Sequence, residues 1–89
     1  MSITLLVIVA VVSAMTHTPI PDAWVDVEGM RRSEFYEEHL TDSRGQFVVE
    51  IDPGEHMVTV SKPGYQPFTA SFAFVEDTDR VVVALQEQQ

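Results

Sequence analysis

The longest apolar run in the chain, Ile3-Thr-Leu-Leu-Val-Ile-Val-Ala-Val-Val12, has no polar alternation, whereas apolar positions further along recur at every second residue. A period of two is the signature of a half-buried strand. Ala23, Val25 and Val27 alternate with Trp24, Asp26 and Glu28. Phe47, Val49 and Ile51 alternate with Gln46, Val48 and Glu50. His56, Val58 and Val60 interleave with Met57 and Thr59, and Phe68, Ala70, Phe72 and Phe74 with Thr69, Ser71 and Ala73. Val81, Val83 and Leu85 close the series before a Gln-rich stretch, 86–89, that reads as a frayed tail. Ser33–Leu40 is less regular and reads as a polar edge strand or a single helical turn.

Turn signals separate these runs. Met15–Pro21 is a loop, because Pro19 and Pro21 exclude a central strand. Asp42-Ser-Arg-Gly45, Asp52-Pro53-Gly54 and Lys62-Pro63-Gly64-Tyr65 are tight reversals spaced as consecutive hairpins require. Short strands at close spacing, with no long helical period, predict an all-β fold: a small antiparallel β-sandwich of about seven strands. Its expected core is Val25, Val27, Phe47, Val49, Ile51, Val58, Val60, Phe68, Phe72, Val81, Val83 and Leu85. No linker or repeat interrupts the pattern, so residues 1–89 read as one domain.

The N-terminal run allows two readings. It is well short of the roughly 20 residues that span a bilayer. Its length suits a signal-peptide core, and Val12-Ser13-Ala14 resembles a cleavage site, but no Lys or Arg precedes it. Its β-branched content suits a strand buried on both faces, and residues 1–14 are read as the first strand. A two-layer sandwich covers only one face of each strand. One of the two rows, Leu5, Val7, Val9, Val11 or Leu6, Ile8, Ala10, Val12, therefore needs a partner surface. The expected interaction set is Leu5, Val7, Val9 and Val11, with Trp24 as an exposed anchor on another strand.

Four segments resemble one known family. They are Pro19-Ile-Pro-Asp-Ala-Trp-Val25, Thr41-Asp-Ser-Arg-Gly-Gln-Phe47, Pro53-Gly-Glu-His-Met-Val-Thr-Val60 and Gly64-Tyr65. In order and spacing they are similar to the carboxypeptidase regulatory-like family, with its transthyretin-like sandwich. Two positions depart from that pattern: Asp22 stands where a glycine is usual, and His56 where an aromatic is usual. The resemblance implies a non-catalytic module of the kind appended to peptidases and transporters or found in extracellular and viral surface proteins.

Composition narrows the function. Fourteen acidic residues face five basic ones, for a net charge of −9. That balance repels phosphate backbones and anionic membranes, which disfavours nucleic-acid partners. No cysteine is present, so disulfides and thiolate metal sites are excluded, and stability rests on packing, strand pairing and association.

Candidate chemistry is sparse. His56 lies on an inward row and reads as a packed aromatic surrogate. Glu37 and His39 share a strand face and offer two zinc ligands, too few for a site. Glu76-Asp-Thr-Asp79 offers carboxylates for calcium without the glycine and distal glutamate of an EF-hand loop, and reads as a turn. His17 sits in a proline-bounded loop. There is no Gly-x-Ser-x-Gly elbow, and the Tyr-Arg-Gly-Ser motif of transthyretin-like purine-ring hydrolases is absent. The expectation is a non-enzyme with no catalytic, cofactor or metal residues. It would be a structural or protein-interaction subunit that self-assembles or binds proteins through its first strand, in a virion or a cell-surface array. The alternative is a secreted carbohydrate- or ligand-binding module that uses Trp24.

Overall fold

The computed structural model describes residues 4–30 and 39–88. Six strands lie within them: β1 (Leu5–Ser13), β2 (Trp24–Val27), β3 (Gln46–Ile51), β4 (Gly54–Ser61), β5 (Phe68–Phe74) and β6 (Arg80–Leu85). They form two three-stranded sheets, β3-β1-β6 and β2-β4-β5, packed face to face. The all-β sandwich is as expected, with six strands among the described residues rather than about seven. The strand expected over 33–40 falls largely outside the described residues.

Two features differ from a chain of antiparallel hairpins. The Asp52-Pro53 reversal joins β3 in one sheet to β4 in the other, so it is a corner between layers. Only β4 and β5 are sequential neighbours in one sheet, paired from Gly54↔Phe74 to Val60↔Phe68. In addition β1 runs parallel to β6, with Val9 opposite Val81 and Val11 opposite Val83, and antiparallel to β3. The first strand is thus the centre of its sheet, with a neighbour on each edge and the core beneath its inner row, while its equally apolar outer row is covered by neither.

Alternation places the core as the sequence implies. Leu5, Val7, Val9, Val11, Val25, Val27, Phe47, Val49, Ile51, Val58, Val60, Val81, Val83 and Leu85 are buried in one cluster. Each such side chain contributes about 1.5–3 kcal/mol relative to exposure. One pair of assignments is corrected. Phe74 is fully buried, whereas Phe68 and Phe72, expected in the core, are only half-buried against it. Both lie on β5, which among the described residues is an edge strand paired on one side only.

Thr41 and Gly45 tie the connections to the sheets. The Thr41 hydroxyl is buried, donates to the Ile20 carbonyl at 2.7 Å and accepts from Ala23 N–H at 2.9 Å. Both polar functions of a buried group are thereby satisfied. The Asp42 carboxylate accepts from the Arg44 and Gln46 amides at 2.9 and 3.0 Å, closing the turn. Gly45 has φ +71°, and a Cβ there would stand 2.7 Å from the Val11 carbonyl oxygen and 2.9 Å from the Ile20 nitrogen. Only glycine fits both the left-handed backbone and that approach. Asp22, at the family's glycine position, also has positive φ, 57°, a region Asp tolerates better than most residues.

The tail expected to fray is tied down through residue 88. Gln66 N–H donates to the Gln86 carbonyl at 2.7 Å, Gln88 N–H to the Gly64 carbonyl at 3.0 Å, and Tyr65 bridges Glu87.

Candidate interaction surface

The candidate site is the outer face of the β3-β1-β6 sheet. Residues opposite one another in a ladder project to the same side, so the register defines the face. Leu6 lies beside Glu50, Ile8 between Val48 and Arg80, Ala10 between Gln46 and Val82, and Val12 beside Ala84. The middle of the face is therefore apolar, with Glu50 and Gln46 at the β3 edge and Arg80 at the β6 edge. Leu6 is 60% exposed and Val82 56% exposed, while Ile8, Val12 and Val48 are half-buried and Ala10 is buried.

This arrangement corrects the expected interaction set. Leu5, Val7, Val9 and Val11 point into the chain's own core, where Val7, Val9 and Val11 have no exposed area. They pack against the β2-β4-β5 layer, so they are not free for a partner. The row left outside is Leu6, Ile8, Ala10 and Val12. Alternation alone leaves the choice open, because both rows are apolar. Val48, Val82 and Ala84 complete the face, and the pattern reading did not single them out. Their signal was the unbroken Phe47-Val-Val49 and Val81-Val-Val-Ala-Leu85, which resemble β1 in being apolar on both rows.

Trp24 is exposed as expected, at 43%, but it sits on the other sheet and is not joined to the β1 row. Its indole stacks on the His39 imidazole at 6.5 Å with an 18° interplanar angle. His39 also lies 6.0 Å from the Phe47 ring, and its Nδ1–H donates to the Val25 carbonyl at 3.3 Å. Beside it the backbone bridges Trp24 to Leu40 and so covers the edge of β2. The pair caps that edge, with one indole face occupied.

The remaining candidates are structural in their surroundings. His56 is half-buried; its ring meets Phe74 edge-on at 5.6 Å, its Nε2–H donates to the Asp52 carbonyl at 2.9 Å, and Gly29 leaves room for it. Of the two candidate zinc ligands, judged too few for a site, Glu37 falls outside the described residues. The segment 76–79 is a turn in which Thr78 N–H donates to the Val75 carbonyl, and Val75 N–H to the Thr78 hydroxyl. His17 is exposed with φ 62°. Among the described residues no three His, Cys, Asp or Glu side chains converge as metal ligands.

No curated protein matches the chain. The family model of the carboxypeptidase regulatory-like domain matches residues 7–86, from within β1 to just beyond β6. The match takes in both sheets, the Thr41–Gly45 turn and the Asp22 and His56 positions. The chain belongs to the carboxypeptidase regulatory-like domain family, whose members are β-sandwich modules and typically non-catalytic.

Proposed function

We propose that this protein is a non-enzymatic structural and protein-interaction module, a subunit of a larger assembly that presents the outer face of its β3-β1-β6 sheet to a neighbouring protein. The observation that carries the reading is the apolar stripe Leu6, Ile8, Val48, Val82, spread across three strands in register, with Leu6 and Val82 exposed and Ile8 and Val48 half-buried. Among the described residues, the charges that the register places on it are one Glu and one Arg, on a chain with net charge −9. Like-charge repulsion is therefore weakest where apolar contact is strongest.

Size decides what kind of contact this is. Three strands about 4.8 Å apart, crossed by a row of about 20 Å, give a footprint of roughly 300 Å². A stable pairwise interface covers about 800 Å² per partner. The face suits one contact among several in an array of repeated copies, as in a virion or on a cell surface, where avidity multiplies weak contacts. The secreted ligand-binding alternative has less support. Cleavage after Ala14 would remove the central strand of a sheet, and Trp24 already stacks on His39.

The test is the mass of the complex in the native source, for wild type and for the Leu6→Lys/Val82→Lys variant. Both positions are exposed, so the variant should fold while leaving the complex. A wild type that is monomeric both in its source and when purified removes the proposal.

A further inference from the structure

The second sheet has one covered edge and one open edge. Beside β2 the chain runs back through His39–Thr41, with Thr41 N–H donating to the Ala23 carbonyl and Val25 N–H to the His39 carbonyl. Beside β5, among the described residues, the backbone pairs with β4 alone. An open row of N–H and C=O groups is a template for another strand, and proteins usually blunt it with charge. Here β3 carries Glu50 and β6 carries Arg80, whereas β5, Phe-Thr-Ala-Ser-Phe-Ala-Phe, carries no charge at all. Its inward row is also unfinished. Phe68 and Phe72 stack on one another at 6.2 Å yet stay half-buried.

We infer that β5 pairs antiparallel with β5 of a second copy about a two-fold axis at Ser71, joining two three-stranded sheets into one of six strands. The occupant follows from the strand's self-complementarity. With Ser71 opposite its own copy, Phe72 lies opposite the second copy's Ala70, and Phe68 opposite its Phe74. Large meets small at the middle, and the half-buried rings gain cover. A slip of one residue sets aromatic rows against Thr69 and Ser71, and a slip of two leaves fewer residues paired. The strand itself is uncharged, and the nearest carboxylate, Glu55 one strand inward, is held by the Ser71 hydroxyl, so few charges of the two copies, each of net charge −9, meet at the pairing edge. The axis makes the contact isologous, and the covered β2 edge stops sheet growth at a dimer.

The absence of cysteine makes the register directly readable. Ser71 is exposed, and among the described residues its hydroxyl donates to the Glu55 carboxylate at 3.1 Å, so Ser71→Cys should fold as wild type by circular dichroism. Opposed Cα atoms about 5 Å apart lie within disulfide reach. Thr69 and its own copy would be about 13 Å apart, beyond it. In a glutathione redox buffer, Ser71→Cys should form the covalent dimer at least about tenfold faster than Thr69→Cys or Ala73→Cys alone. Mixing those two variants should yield the 69–73 heterodimer. In sedimentation, Ser71→Lys should shift the dimer to monomer, while Leu6→Lys/Val82→Lys should leave it intact. Equal cross-linking at all three positions would overturn the inference. So would a monomeric wild type, or a dimer lost only in the Leu6/Val82 variant, which would assign association to the other sheet.

Discussion

The two outer faces of the sandwich are built on the same backbone geometry and differ in almost every side chain. The β3-β1-β6 sheet shows Leu6, Ile8, Val48 and Val82 to the outside. The β2-β4-β5 sheet shows Asp26, Glu55, Thr59, Ser61, Thr69 and Ser71, with Trp24 and Met57 as its large apolar members. Both sheets bury the same kind of inner row, so folding alone does not require the difference. An outer row that is apolar without need in the monomer marks a surface for something else. The same contrast sorts the strands. β1, β3 and β6 contain consecutive Val or Ile residues and share one sheet, while β2, β4 and β5 contain none in succession and share the other.

Substitutions on the inner and outer rows of the β3-β1-β6 sheet test this contrast most severely. Phe47→Ala, on the inner row of β3, should cost about 3–5 kcal/mol through the cavity it leaves, measured by urea unfolding. Asp22→Gly touches neither face and removes a side chain from a left-handed position. It should stabilise by about 0.5–1 kcal/mol, the conformational relief exceeding glycine's entropic cost, with association unchanged. Leu6→Lys/Val82→Lys should move stability by no more than about 0.5 kcal/mol while removing the protein from its assembly. Met57→Lys, the matching change on the other sheet, should alter neither quantity. If Met57→Lys and the Leu6/Val82 variant reduce association alike, the contrast between faces has no functional meaning.

The sequence carried the inner rows well. Alternation alone assigned Val25, Phe47, Val58 and Val83 to the core, because a period of two leaves a strand only one buried side. It carried the turns equally well, since Gly45 and Asp42 act through their own backbone. It left open which row of β1 faces inward, because two apolar rows give alternation nothing to separate. It also missed the parallel β1–β6 pairing and the tethered 86–88 segment. Both join distant parts of the chain, and no local pattern records them. Phe68 and Phe72 were placed too deep for a related reason: a strand's inward row is buried only as far as its sheet extends, and β5 lies at the edge.

The central position of β1 also sets the order in which this molecule can be finished. One edge waits for β3, its inner row for the β2-β4-β5 layer, and its other edge for β6, the last of the six described strands in chain order. At about 5–20 residues per second, roughly 3–15 s separate the two strands' emergence from the ribosome. During that interval the most apolar segment of the chain has an unsatisfied edge and an open face. Nascent protein should therefore depend on chaperones far more than its small size suggests. A permutant that begins at β6 and continues into β1 should shorten the wait and raise the soluble yield.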